Sequence, residues 1–265
     1  MYNKCFYILV LITILISCKT NTPIEISFEK DEKENNHTYI KVIDLATKEF
    51  LILLVDTGCY KNLIYETSNR NTKKLDFKIK GNETVFKEEF EVRNEKTDID
   101  GILGLNFLEK FGKVTFDFKE NKLILFSELK QDCSKYKYGT MSYMDEISKK
   151  RIKDAGYQIT FPVSYNSDKY FYFMFDTGFQ TNCRTIALKN KRLFGFENTK
   201  EWILLDNIYI YNCSFENVYI MPMYISDLSK EIIDILPDNT GILSPNIFEN
   251  HIIQLDFRAK EVCIE

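Results

Sequence analysis

The chain has 265 residues, of which 45% are hydrophobic and 28% are charged, and its formal net charge is −4. This composition is that of an ordinary globular protein and excludes a disordered chain; because acidic and basic residues are interspersed, a nucleic-acid partner is not expected. With two histidines in the whole sequence and no Cys/His cluster at metal-ligand spacing, neither a metal site nor a cofactor is expected.

The N-terminus has the pattern of an export signal. Lys4 precedes an apolar stretch from Phe6 to Ile16, which is short for a transmembrane helix but typical of a signal peptide. Ser17-Cys18 follows, and this ending resembles the lipobox of bacterial lipoproteins, in which the cysteine is lipidated after cleavage. We therefore expect a signal peptide over residues 1–17 and a lipid on Cys18, which would hold the chain on the non-cytoplasmic side of a bacterial cell envelope. An ordinary secretory signal with an incidental cysteine is the alternative.

Five cysteines follow the predicted lipidation site, so at least one has no partner within a monomer. An exported location permits disulfides, but the sequence gives no pairing, and buried free thiols are an equal alternative. The five are Cys59, Cys133, Cys183, Cys213 and Cys263.

The chain contains one pattern twice. LILLVDTGCYKN (51–62) is echoed by FYFMFDTGFQTN (171–182), which places Asp56 and Asp176 120 residues apart. In each copy an apolar run typical of a buried strand ends in an aspartate, and a buried carboxylate costs free energy unless it is hydrogen-bonded or functional. Each run is the second strand of a predicted hairpin. The predicted strands are 38–44 with 49–55, and 157–165 with 169–175.

A second pair of similar stretches lies downstream. DGILGLNFLEKFGKVTFDF (100–118) parallels TGILSPNIFENHIIQLDF (240–257), and a short helix followed by a strand suits both. We predict the helices at Asn106 to Phe111 and Asn246 to His251. The predicted organisation is a linker with a first strand (18–37), one lobe (38–130), a connecting segment (131–156) with a helix from Met144 to Ala155, and a second lobe (157–265).

These motifs resemble those of the aspartic peptidases of the pepsin and retropepsin clan. The resemblance rests on Asp56-Thr57-Gly58, Asp176-Thr177-Gly178, Gly101-Ile102-Leu103-Gly104 and Gly241-Ile242-Leu243, and it covers about residues 38–265. It implies an all-β fold of two pseudo-symmetric, retropepsin-like β-barrel lobes with a few short helices, with both aspartates in one chain that acts as a monomer. The other interpretation is that each DTG is a simple turn, but a turn does not explain the duplicated apolar strands.

The resemblance implies a membrane-tethered endopeptidase that hydrolyses peptide or protein substrates with a water activated between Asp56 and Asp176. Two carboxyl groups that share one proton supply a general base and a general acid. The supporting residues would be Gly58 and Gly178, which allow a tight turn, and Thr57 and Thr177, which by resemblance bond to the opposite lobe. The two GIL turns, with Gly101, Gly104 and Gly241, would pack beneath these loops.

Three departures from the family pattern affect this expectation. Cys59 and Phe179 stand where pepsins have a hydroxyl residue, whose loss should raise the pKa of the dyad and move the optimum towards neutral pH. Phe179 is also large enough to obstruct the site, and Ser244-Pro245 replaces Gly104-Leu105. A hairpin of Lys74–Lys80 with Thr84–Arg93 is the predicted flap; the strand pair from Trp202 to Met223 is a flap or part of the core.

Two other functions fit the sequence less well. A catalytically silent two-lobed lipoprotein that binds a peptide or protein in its cleft needs the fold but not both acids, and a purely structural lipoprotein leaves the duplicated motif unexplained. Serine or cysteine hydrolase chemistry is poorly supported, because neither His37 nor His251 lies beside a nucleophile motif.

Overall fold

In the computed structural model the described residues are 22–29, 38–66, 71–126, 133–142, 144–145, 150–151, 156–165, 169–179, 181, 183–197, 201–223 and 240–265. The predicted signal peptide (1–17), Cys18 and His37 lie outside these ranges. Within them, no helix has both the length and the apolar character needed to cross a membrane.

The described residues form mostly β-strands, as predicted. Both predicted hairpins are present, with strands close to their predicted bounds. In chain order the strands are β1 (Ile24–Ser27), β2 (Tyr39–Asp44), β3 (Phe50–Val55), β4 (Leu63–Tyr65), β5 (Thr72–Ile79), β6 (Val85–Arg93), β7 (Gly101–Leu103), β8 (Lys113–Asp117), β9 (Lys122–Leu125), β10 (Lys135–Lys137), β11 (Gly139–Ser142), β12 (Met144–Asp145), β13 (Lys150–Arg151), β14 (Tyr157–Ser164), β15 (Phe171–Phe175), β16 (Thr185–Leu188), β17 (Ile203–Ile210), β18 (Cys213–Pro222), β19 (Gly241–Leu243), β20 (Ile252–Asp256) and β21 (Glu261–Ile264).

Two six-stranded barrels make up the two lobes. The first closes in the order β2-β3-β7-β4-β6-β5, and the second has the equivalent order β14-β15-β19-β16-β18-β17, closed by pairing of β14 with β17. The strands alternate between core and solvent, as in β5, where Leu75, Phe77 and Ile79 are buried and their neighbours are more exposed. The prediction of two pseudo-symmetric β-barrel lobes is therefore confirmed.

A third sheet joins the two lobes. Its order is β1-β9-β8-β20-β21-β10, and the central pair, β8 with β20, contributes one strand from each half of the chain. Phe116 on β8 lies 5.9 Å, centroid to centroid, from Phe175 at the end of β15. Because this shared sheet packs directly against the strand that delivers Asp176, it fixes the two barrels relative to each other.

Short helices follow both GIL strands. Helix α1 (Leu105–Leu108) continues into a 3₁₀ helix (Glu109–Phe111), which together match the first predicted helix. In the second lobe a 3₁₀ helix spans Pro245–Phe248, shorter than predicted. The predicted helix from Met144 to Ala155 is wrong where the structure describes it, because β12 pairs with β13 there.

The hairpin of β5 and β6 is part of the barrel wall, so its prediction as a flap is wrong. Its inward side chains, Phe77 and Phe90 among them, are fully buried. At its tip the Lys80 N–H donates to the carbonyl of Lys41 over 2.8 Å, and the Lys80 ammonium lies 3.2 Å from Glu29, which follows β1 of the shared sheet. The equivalent pair, β17 with β18, is likewise core sheet.

One disulfide links the connecting segment to the shared sheet. Cys133 is bonded to Cys263 of β21, 130 residues away, whereas Cys59, Cys183 and Cys213 are free. The sequence left this pairing open, because the two cysteines meet only once the shared sheet has formed.

Removing this disulfide is expected to lower the free energy of unfolding by about 2–4 kcal/mol, because the cross-link restricts a long loop of the unfolded chain. Urea denaturation of the full chain measures the effect in the Cys133→Ser, Cys263→Ser double variant. Cys213→Ser serves as the control, since its thiol is free. Equal denaturation midpoints for wild type and the double variant would contradict a stabilising role.

Candidate active site

The two aspartates lie where equivalent strands of the two barrels end. β3 runs parallel to β7, and β15 runs parallel to β19. The ladder continues one residue further in each lobe, since the Asp56 N–H donates to Leu103 O (3.0 Å) and the Asp176 N–H donates to Leu243 O (3.3 Å). Each GIL strand therefore holds one aspartate in place.

The two carboxyl groups are brought together and hydrogen-bond to each other. Each also accepts two backbone N–H groups at its Oδ1: Asp56 from Gly58 (2.7 Å) and Cys59 (3.2 Å), and Asp176 from Gly178 (2.9 Å) and Phe179 (3.0 Å). The matching bonds make the two loops near copies of each other. Asp176 is only 9% exposed, and Asp56 is partly buried.

Glycine is required on both loops because each faces the opposite carboxyl group. A Cβ on Gly58 would lie 2.3 Å from Asp176 Cγ, and a Cβ on Gly178 would lie 2.5 Å from Asp56 Cγ. Both distances are far below van der Waals contact, so any side chain here would force the carboxyl groups apart.

Two threonines brace the loops from beneath. The Thr57 hydroxyl donates to Phe175 O (2.7 Å) and accepts the Thr177 N–H (3.0 Å). Reciprocally, the Thr177 hydroxyl donates to Val55 O (2.7 Å) and accepts the Thr57 N–H (3.0 Å). Both threonines are fully buried, so these four crossed bonds fix the separation of the two aspartates.

The environment raises the pKa of both carboxyl groups. Burial is the main cause for Asp56, opposed by hydrogen bonds from Asp176 and the loop amides. The pKa of Asp176 is raised well above its ordinary value, first by burial and then by the negative charge of Asp56. Like charges at contact distance do not both ionise readily, so the pair holds a proton between them and titrates as a unit.

These raised pKa values predict how stability depends on pH. The folded pair binds its proton more tightly than the unfolded chain, so the stabilisation is complete below the ordinary aspartate pKa and is lost as pH rises through the folded pKa. Asp176→Asn removes the ionisation, so at neutral pH this variant should unfold at higher urea concentration than wild type, with the advantage vanishing in acid. Asp206→Asn, an exposed position on β17, is the control. A pH-independent difference would contradict the raised pKa.

The thiol of Cys59 is not poised to act as a nucleophile. Burial, with the nearby Asp56 charge, raises its pKa to about 12, and its Sγ–H donates to Lys61 O over 3.2 Å. His251 lies elsewhere in the second lobe, with its ring centroid 4.8 Å from that of Phe215. Cysteine–histidine chemistry therefore has no support among the described residues.

Phe179 and Ser244 fit the site in ways the sequence did not reveal. The Phe179 side chain packs against an apolar cluster on the outer face of the second barrel, which includes Met174 and Met221. Ser244 is fully buried and accepts the Thr185 N–H at its Oγ (3.1 Å). Phe179 thus has a packing site of its own, and Ser244 ties the second GIL turn to β16.

The other three glycines predicted to support the site lie beneath the loops, where neighbouring atoms pack closely against the glycine backbone. A Cβ on Gly101 would lie 2.4 Å from Leu63 O, one on Gly104 would lie 2.5 Å from Lys61 O, and one on Gly241 would lie 2.4 Å from the Phe173 ring. The two turns therefore approach their neighbours more closely than any other residue type allows.

Three polar residues that were not among the predicted site residues also support the loops. The buried Thr38 hydroxyl lies 2.8 Å from Val55 O and 3.0 Å from Thr177 O. Gln158 Nε2 donates to Gly58 O across the lobes (3.0 Å). Asn62 Oδ1 accepts the Gly104 N–H (3.1 Å) and its Nδ2 donates to the buried Glu88 (3.1 Å). Only Asn62 had a sequence signal, since an asparagine follows both DTG motifs at the same spacing.

Comparison with solved structures places this geometry in a known fold. The chain is similar to an aspartic proteinase from Irpex lacteus, with a TM-score of 0.54 and 13% sequence identity over 92% of this chain and 97% of that one. At this identity the similarity shows the fold alone, which is the two-lobed pepsin-like fold. No protein-family model and no curated protein matches the chain.

Proposed function

We propose that the chain is a single-chain aspartic endopeptidase that hydrolyses peptide bonds with a water held between Asp56 and Asp176. The observation that carries the proposal is the hydrogen-bonded pair of carboxyl groups, both with raised pKa values, at the junction of two equivalent loops. A pair of carboxyl groups in different protonation states is what general acid–base catalysis of hydrolysis requires.

The reaction follows from the shared proton. The ionised carboxylate takes a proton from water while the water oxygen bonds to the carbonyl carbon, and the protonated carboxyl gives its proton to the carbonyl oxygen. In the resulting tetrahedral diol, the carboxyl that took the proton from water protonates the amide nitrogen as the C–N bond breaks, and the other carboxylate takes a proton from one diol hydroxyl. This leaves a carboxylic acid and an amine as products and restores the single shared proton. The loop N–H groups of Gly58 and Gly178 stabilise whichever carboxylate is ionised. No covalent enzyme intermediate forms and no metal takes part.

The cellular setting is part of the proposal. A lipid on Cys18 would tether the two lobes to the non-cytoplasmic face of a bacterial membrane, and a monomer would suffice because both aspartates lie in one chain. The substrates would be exported or external peptides and proteins, and no nucleic acid is involved. The export pattern of residues 1–17 supports this placement.

Incubating the full chain with an unbiased peptide library, from strongly acidic to neutral pH, tests the proposal. We expect internal cleavage, with an optimum in the weakly acidic to neutral range because burial raises the pKa of both carboxyl groups. Absence of cleavage at every pH would overturn the endopeptidase function and leave the silent, peptide-binding alternative. An optimum confined to strong acid would contradict the raised pKa.

A further inference from the structure

The strand registers define one row of side chains across each barrel. The first-lobe row is Leu54-Ile102-Leu63-Glu91, whose members are successive Cα partners on β3, β7, β4 and β6. The second-lobe row is Met174-Ile242-Ala187-Met221, on the equivalent strands β15, β19, β16 and β18. The two rows therefore correspond position by position.

Both rows lie on the face of the barrel that carries the aspartates. Side chains two residues apart on a strand share a face, so Leu54 shares a face with Asp56, and Met174 with Asp176. The intervening Val55 and Phe175 point into the barrel cores. Neighbouring strands are about 4.8 Å apart, so the far end of each row is roughly 14 Å from its start. The second-lobe row is buried throughout, whereas the first-lobe row becomes partly exposed at its far end, at Leu63 and Glu91.

At its far end the first-lobe row carries a charged wall formed by Lys61, Glu91 and Arg93. Lys61 Nζ lies 3.0 Å from Glu91 Oε2, and the Arg93 guanidinium contacts the other oxygen of the same carboxylate. The Glu91 carboxylate pairs with both cations, so these three side chains together carry a net positive charge. Lys61 and Arg93 also keep N–H groups that can donate to a further acceptor. Both cations are more than 40% exposed on their side chains. Two further acidic residues lie nearby. Glu89, two residues before Glu91 on the same face of β6, is the register partner of Lys74, and Glu95 follows the strand. Both are exposed, so water and salt screen their charges.

The second lobe is apolar and buried at the equivalent positions. Met221 replaces Glu91 and Met223 replaces Arg93, because the register pairs Ala187 with Met221 as it pairs Leu63 with Glu91. Phe179, the counterpart of Cys59, packs against this cluster and is itself partly exposed. The first lobe therefore presents a charged wall, whereas the second lobe presents the partly exposed Phe179, although the two barrels share one architecture.

We propose that the cleft selects peptides with an acidic side chain on one side of the scissile bond, held by Lys61 and Arg93, and an apolar side chain on the other, held by Phe179. This inference rests on the proposed endopeptidase function for the position of the bond, but the charged wall and Phe179 would select the same sequences in a protein that only binds peptides. An extended peptide advances about 3.4 Å per residue, so the acidic residue lies within about four residues of the bond.

Profiling of cleavage sites in a peptide library, with the full chain, tests the charged wall. Wild type should show enrichment of Asp and Glu on one side of the bond, and Lys61→Met with Arg93→Met should reduce that enrichment about fivefold or more, as expected for loss of a partly exposed charge pair. High salt should weaken it as well. Lys80→Met is the matched control, since Lys80 lies at the tip of the β5–β6 hairpin. No acidic enrichment in wild type, or one unchanged in the double variant, would overturn the proposal.

A binding experiment separates failure of this inference from failure of the proposed function. The Asp56→Asn chain is used to capture peptides from the same library without cleaving them. Acidic enrichment that Lys61→Met with Arg93→Met abolishes would support the charged wall even if wild type cleaves nothing. Captured peptides with no acidic enrichment, or no captured peptides at all, would overturn it.

Discussion

Replacing Asp56 or Asp176 by asparagine is expected to lower kcat/KM for peptide hydrolysis by at least about 10³-fold. Asparagine keeps the size and most hydrogen bonds of aspartate but can neither take a proton from water nor hold the shared proton. In the proposed reaction each carboxyl acts once as a base and once as an acid, so loss of either one stops the same cycle. The double variant should therefore be about as inactive as each single variant.

The control for this experiment is Asp206→Asn, which removes an exposed carboxylate on β17 and should leave kcat/KM unchanged. Urea denaturation must show that both active-site variants are folded. A folded Asp176→Asn chain that cleaves within tenfold of wild type would contradict a catalytic role for the pair, with tenfold corresponding to about 1.4 kcal/mol of activation free energy.

Replacing Thr57 by valine is expected to lower the free energy of unfolding by about 2–5 kcal/mol. Valine has nearly the same shape, but it leaves the buried Phe175 carbonyl and Thr177 N–H without their partner. Thr57→Ser keeps the hydroxyl and loses one methyl group, so its cost should be about 1 kcal/mol. Urea denaturation distinguishes the two variants.

The reciprocity of the threonine bonds gives a sharper test. Thr177→Val alone should cost a similar amount, but the double variant should cost less than the sum, because the two hydroxyl groups act on each other's backbone. In both single variants kcat should fall by more than the loss of folded protein explains, since the separation of the carboxyl groups is no longer fixed. Additive costs for the two substitutions would show that the threonines act independently.

The sequence could predict those features that are contiguous and repeated. Each hairpin, each DTG and each GIL strand is a local pattern, and its second copy distinguishes it from a chance match. The same order of patterns in both halves was enough to predict two equivalent barrels, because similar segments in the same order fold in the same way. The role of Thr57 and Thr177 was expected only from the family resemblance, since nothing local reveals a bond between residues 120 positions apart.

The sequence could not predict features set by long-range pairing. Gly81-Asn82, between the strands of the predicted flap hairpin, is a true turn signal, since β5 and β6 pair on either side of it. Whether that hairpin forms a flap depends on the pairing of β5 with β2 and of β6 with β4. The helix predicted at 144–155 failed for a local reason where the structure describes this segment: residues 144–145 pair with 150–151 as strands, and strand pairing there outweighs helix propensity. The contrast between the charged Glu91 position and the buried, apolar Met221 position likewise emerges only from the strand registers that make them equivalent.

That Asp56 and Asp176 hold one proton between them is tested most directly by infrared difference spectroscopy of the carboxyl groups. Spectra of wild type are compared with those of the Asp56→Asn, Asp176→Asn double variant at weakly acidic pH, where an ordinary aspartate with a pKa of about 3.9 is ionised. We expect the wild-type spectrum to contain one protonated carboxyl band that the variant lacks. Two ionised carboxylates in wild type at this pH would contradict the shared proton, and with it the proposed activation of water.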